Sequence, residues 1–224
     1  MATISALADA LGALVRDGSQ LAWEGPPIAV AAALARRRVR DLTLVALNPG
    51  VSGDLLVGAG CVGRLVTSSL AGPDGTVLPR IAAAEVELEE HTASGLATAY
   101  DAGAAGLPFG VLRGYLGTDL AAVTRVAPVR CPFTGEELAA VPAVAPDVAL
   151  VHARRADRAG NVAGLVGIGR DAVYAARRAL VTVDEIVDAL PGTELPGVAG
   201  VLVAEVSQSP APADFAAWLA EVRA

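Results

Sequence analysis

Short, uninterrupted apolar runs alternate with alanine-rich segments of helical periodicity along this chain, and that alternation restricts the folds open to it. Leu42-Thr43-Leu44-Val45-Ala46-Leu47 reads as a continuous apolar strand, the pattern of a strand covered on both faces, and Asn48-Pro49-Gly50 turns the chain at its end. Further strands are predicted over residues 21–23, 64–68, 86–89, 109–112, 148–152, 180–183 and 198–203. Between them, Ile4, Leu7, Leu11 and Leu14 recur at helical spacing before Gly18, and helices are predicted over 28–38, 52–58, 94–104 and 171–178. Phe215, Trp218, Leu219 and Val222 form the apolar stripe of an expected C-terminal helix. Strands alternating with helices imply βαβ units, so the expected class is α/β: an open, mostly parallel sheet with flanking helices. The proline-rich segment 124–146 lacks helical periodicity and is expected to form a small antiparallel excursion. The 224 residues fit a single domain spanning 1–224.

Composition narrows the chemistry. All 17 basic residues are arginine, which excludes a Schiff-base lysine and a phosphate-loop lysine. A net charge of −7 argues against a nucleic-acid partner; the run Arg36-Arg37-Arg38 reads as a helix C-terminus matched to its dipole. Cys61 and Cys131 are too few for a disulfide framework, and with His91 and His152 far apart in sequence no protein-only metal site is expected. The apolar stretch 28–35 is too short to span a bilayer, and no basic segment precedes an apolar run at the N-terminus. The chain is therefore expected to be soluble and cytoplasmic, with no membrane partner.

Gly58-Ala59-Gly60-Cys61-Val62-Gly63 matches the dinucleotide fingerprint G-x-G-x-x-G. That fingerprint must follow a strand and open a helix, so that a pyrophosphate meets the helix N-terminus. Here a helix-like segment precedes the glycines and a strand follows, so they are read as closing a helix and turning into a strand.

Three segments can carry chemistry. Glu90-His91-Thr92-Ala93-Ser94-Gly95 puts a carboxylate, hydroxyls and backbone N–H groups at a strand-to-helix junction, where they can hold an anionic oxygen or simply cap the helix through Thr92 or Ser94. His91, alone among acids, is read as a structural hydrogen-bond partner. Trp23-Glu24-Gly25-Pro26-Pro27 ends a strand and starts a helix, which suits a ligand loop and equally a tight turn before a proline-started helix. Asn48 closes the most apolar strand; in a doubly wound sheet it lies beside the Gly25 loop and can donate to a bound carbonyl.

In order, these segments resemble the A (α) subunit of class I coenzyme A transferases, most of all the glutaconate CoA-transferase type. The likeness runs through Asp17-Gly18, 41–45, Gly58-Ala59-Gly60-Cys61 and Glu89-Glu90-His91. It continues through 102–109, Leu112-Arg113-Gly114-Tyr115, 131–138, His152-Ala153, Arg155-Ala156-Asp157 and Gly160-Asn161-Val162. Glu90 to Gly95 is similar to the family's Glu-Leu-Thr-Pro-Gln-Gly segment. The resemblance implies a CoA-transferase/ribose-phosphate-isomerase-like fold, a partner β subunit that carries the nucleophilic glutamate, acyl-CoA and a carboxylic acid as substrates, and coenzyme A as cosubstrate with no tightly bound cofactor. It also implies one cleft wall from this chain: Glu90 as a supporting residue or general base, and Trp23, Glu24, Gly25, Asn48, Ser94 and Gly95 toward CoA or substrate. Two positions depart from the family pattern. Pro26 stands where the glutaconate branch has Phe, and Ser94 where the family has Gln. They leave open a related acyl-CoA or ring hydrolase, of the kind used in steroid degradation, in which Glu90 activates water. A ligand-sensing relative would carry a helix-turn-helix, and none is visible.

Overall fold

The computed structural model describes residues 3–70, 77–196 and 201–206, and beyond them Ala217, Ala220 and Glu221. The first half comprises β1 (Thr3–Ile4), α1 (Leu7–Leu14), β2 (Gln20–Glu24), α2 (Ile28–Arg36), β3 (Leu42–Ala46), α3 (Gly50–Gly58), β4 (Val62–Thr67), α4 (Val77–Ala82) and β5 (Glu87–Glu90). Next come α5 (Ala93–Ala104), β6 (Phe109–Leu112), α6 (Asp119–Val123), β7 (Ala127–Arg130) and β8 (Glu137–Pro142). The chain then forms β9 (Val148–Asp157), β10 (Val162–Leu165), α7 (Gly169–Ala175), β11 (Arg178–Val187) and β12 (Val201–Glu205).

The main sheet has the order β1-β12-β11-β9-β2-β3-β4-β5, parallel throughout, with β10 added antiparallel to β9. A separate antiparallel sheet has the order β6-β8-β7 and accounts for most of the 124–146 excursion. Both faces of the main sheet are covered, which is why its strands carry little polar alternation. Leu21, Trp23, Leu42, Leu44 and Leu150 face α1, α2 and α3, whereas Ala22, Val45, Ala149 and Val151 face α5 and α7.

Several boundaries depart from the sequence reading, each for a local reason. Ile4 does not belong to the first helix: it pairs with Val203 as an edge strand, and the helix starts at Leu7. α7 ends at Ala175 because Ala176 is already extended, so Arg178 opens β11 instead of closing a helix. α6 was not anticipated; it is a short helix capped by Thr118, whose side chain accepts from Ala121 N–H. Arg37 does not serve its own helix: its guanidinium donates to Leu11 O and Val15 O at the end of α1. Gly58 closes α3 and Val62 opens β4, the helix-then-strand context that disqualifies the dinucleotide fingerprint. The expected stripe at Phe215, Trp218, Leu219 and Val222 lies outside the described residues.

Candidate active site

The strand order sets the site. From β2 the chain moves outward through β3, β4 and β5, then returns to place β9 on the other flank of β2. In open parallel sheets ligands bind beyond the carboxyl ends of the strands at such a reversal. The residues there are Glu24 and Gly25 after β2 and Leu47 and Asn48 after β3. Glu24 Oε1 accepts from Leu47 N–H at 3.1 Å, tying the two strand ends together. Gly25 has a φ of +69°, and a Cβ there would sit 3.1 Å from Val166 Cγ1, so both backbone and space favour glycine. Asn48 is exposed; its Oδ1 accepts from Gly50 N–H at 2.9 Å and organises the entry to α3.

Trp23 departs from its expected place in a binding loop. It is fully buried beneath α3, where its indole N–H donates to Ser52 Oγ at 3.2 Å. Alternation along β2 explains this: Trp23 shares the face of Leu21, so Glu24 takes the opposite one. Trp23 packs the core behind the loop.

Glu24 is only 5% exposed. Burial pushes its carboxyl up to about 7, against the opposing pull of the Leu47 N–H. On the same face of the sheet, the Tyr100 hydroxyl donates to Val45 O at 2.7 Å. Burial also raises Tyr100, and the nearby Glu24 charge adds to that.

The β5–α5 junction lies three strands from β2, about 14 Å at the usual strand spacing. Glu90 is exposed, and its backbone carbonyl accepts from Thr124 Oγ1 at 2.6 Å. Thr92 is the N-cap of α5 and accepts from Gly95 N–H at 3.0 Å, while Ser94 Oγ lies 3.1 Å from Thr92 Oγ1. The Gly95 N–H is therefore spent on the cap. Gly95 itself is required by packing, because a Cβ would fall 2.0 Å from the Tyr115 hydroxyl.

Sequence reasoning passed over the network beneath this junction. Arg64 pairs with Glu89, Glu89 Oε1 lies 3.0 Å from His91 Nε2, and His91 Nδ1 lies 3.0 Å from the Tyr115 hydroxyl, which also accepts from Thr92 N–H at 2.9 Å. The hydrogen bond from His91, with Arg64 adding to it, holds the Glu89 carboxyl below its usual range against the effect of burial. An ionised Glu89 only accepts, so His91 donates to it from Nε2, while Nδ1 faces the Tyr115 hydroxyl. His91 is thus a buried structural partner, as its sequence context suggested. The period-two pattern in Glu87-Leu88-Glu89-Glu90 was the available signal that Glu89 and Glu90 point to opposite faces. On the far side of the sheet, His152 Nδ1 meets Thr182 Oγ1 at 3.0 Å with Asp184 Oδ1 3.5 Å from Nε2, and burial lowers its tendency to charge. Among the described residues no group of three or more His, Cys, Asp or Glu is placed to hold a metal, and no helix is long and apolar enough to cross a membrane.

The mostly parallel sheet, covered on both faces, is the open α/β architecture that the resemblance implied, and the antiparallel sheet is the excursion expected from the proline-rich segment. A family profile described as Coenzyme A transferase matches residues 4–203, and the chain belongs to that family. Over 204 residues it is 44% identical to the A subunit of the 3-oxoadipate CoA-transferase of Pseudomonas knackmussii, covering 85% of this chain and 72% of that protein. Identity to the A subunit of the succinyl-CoA:3-ketoacid coenzyme A transferase of Xanthomonas campestris pv. campestris is 32% over 161 residues, 68% of this chain and 64% of that one. Among solved structures, the decarboxylase AibA/AibB superposes with a TM-score of 0.82 at 30% identity, over 92% of this chain and 83% of that chain. Glutaconate coenzyme A-transferase from Acidaminococcus fermentans superposes with a TM-score of 0.79 at 24% identity, over 91% of this chain and 76% of that chain, a likeness of fold.

Proposed function

We propose that the chain is the α component of a heteromeric CoA-transferase that works in the cytoplasm and moves coenzyme A from an acyl-CoA to a free carboxylic acid. The observation that carries this reading is the 44% identity, along 85% of the chain, to the corresponding component of a CoA-transferase. The geometry supports it in one respect that composition cannot supply: the strand reversal brings the Glu24-Gly25 loop and the Leu47-Asn48 segment together at one end of the sheet.

In this reading the partner β subunit supplies the nucleophilic glutamate. Its carboxylate attacks the thioester carbonyl, expelling the CoA thiolate and forming an anhydride. The thiolate then attacks the glutamyl carbonyl of the anhydride, releasing the first acid and leaving a glutamyl-CoA thioester, which the second acid reverses. This chain contributes one wall of the cleft. The Gly25 loop and the Asn48 amide face the acyl group, Ser94 lies at the far edge, and Glu90 is a supporting carboxylate or base there. Coenzyme A enters as a cosubstrate.

The test is to purify the chain together with its β partner and supply an acyl-CoA with an isotopically labelled free acid. Label appearing in the acyl-CoA pool supports the transferase. Free CoA accumulating without exchange would reassign the complex to hydrolysis, and loss of CO₂ from the acyl group would reassign it to decarboxylation.

A further inference from the structure

Glu24 combines features that a ligand-positioning carboxylate does not need. Among the described residues it has no cationic partner, and a buried carboxylate without one is strongly disfavoured as an anion. One oxygen, Oε1, is satisfied by Leu47 N–H. The other, Oε2, lies 3.7 Å from the point where a side chain on Gly167 would begin. Gly167, with a φ of +55°, places no side chain against it. The elements packed around it bring little charge. Tyr100 of α5 is the titratable neighbour, Val45 and Leu47 come from β3 and its end, Val151 pairs with Glu24 from β9, and Val166 and Gly167 come from the loop before α7.

We propose that Glu24 acts as a neutral acid, its Oε2–H donating to the acyl oxygen of the bound thioester, the atom that becomes negative when the partner's carboxylate attacks. A preorganised donor aimed at developing charge stabilises the transition state more than the ground state. The proton stays on Glu24 throughout, so no group is consumed. The role rests on the transferase reading and adds to it a catalytic residue contributed by this chain. Because burial holds the carboxyl near 7, the donor is present on the acid side of neutrality and is replaced by a repelling anion above it.

The experiment uses the complex of both subunits. kcat/KM for CoA exchange is measured from pH 5.5 to 9 for the wild type, Glu24→Gln and Glu24→Ala. The wild type is expected to lose about tenfold per pH unit above neutrality. Glu24→Gln, whose amide donates at every pH, should lack that falling limb. Glu24→Ala should fall below the wild type on the acid side of neutrality, where the wild type holds its proton. In parallel, the infrared carbonyl band of a protonated carboxyl should be present in the wild type at pH 6, vanish at pH 9 and be missing from Glu24→Gln. A falling limb retained in Glu24→Gln, an unimpaired Glu24→Ala, or no such band in the wild type at pH 6 would each overturn the proposal. Absence of CoA exchange by the wild type at any pH would sink the transferase reading and the donor role with it, and the infrared titration tells that failure apart from a mistaken proton state.

Discussion

Replacing Glu24 by Gln should stabilise the fold, and the gain should depend on pH in a way fixed by burial. In the folded chain the carboxyl holds its proton up to about 7, against an ordinary value of 4.5. The protonated form is therefore favoured by folding. Its contribution is fully present below the ordinary value and is lost as pH rises through the folded one. The interval between the two values corresponds to about 3 kcal/mol at roughly 1.4 kcal/mol per pH unit. Gln has the same shape, keeps an acceptor for Leu47 N–H and never ionises, so its advantage over Glu24 should be small at pH 5. It should grow by about 2.5 kcal/mol toward pH 8 and then level off. For a domain of this size that is a rise in Tm of roughly 5–10 °C at pH 8 relative to wild type. Urea unfolding of both proteins at half-unit steps of pH measures it directly. An advantage constant with pH would mean that Glu24 titrates normally and that its burial does not hold in solution.

Other perturbations separate structure from chemistry. Tyr115→Phe leaves His91 Nδ1 and Thr92 N–H without their shared partner and should cost about 1–3 kcal/mol in urea unfolding. Gly95→Ala drives a methyl into the Tyr115 ring and hydroxyl and should cost about as much, roughly 1–3 kcal/mol. Because Glu89 is held below its usual range, its contribution is present above 4.5 and lost as pH falls through the folded value; Arg64→Met should weaken that acid-side loss, seen in thermal melts between pH 3 and 6. Glu90→Ala should leave stability within about 0.5 kcal/mol, since the side chain is exposed, yet lower kcat of the complex by about tenfold or more. An unchanged kcat would return Glu90 to the solvent.

The layers of the fold were legible because burial on both sheet faces writes itself into continuous apolar runs such as 42–47, which periodicity detects without knowing the partners. The pairing order was less so. Nothing in residues 148–157 says that β9 returns to the flank of β2, and that return is what brings the Glu24 loop to a strand reversal. Ile4 misled because two residues of edge strand fit a helical stripe as well as they fit a sheet. Gly25 and Asn48 could be placed at strand ends from turn chemistry, and side by side only through the doubly wound sheet order. The difference between Trp23 and Glu24 turned on which face each occupies, a parity that one aromatic and one acid in a five-residue strand leave ambiguous. Tyr115 escaped notice because its partners His91 and Thr92 lie more than twenty residues away in sequence.

The central claim is that this chain shapes a shared cleft while the covalent step belongs to its partner. Intact-mass spectrometry of the complex, incubated with acyl-CoA and no acceptor acid, tests it most directly. The β subunit should gain the mass of one coenzyme A less one water, and this chain should remain unmodified. The adduct should disappear when a free acid is added. An adduct on this chain, or full turnover by this chain alone, would contradict the account.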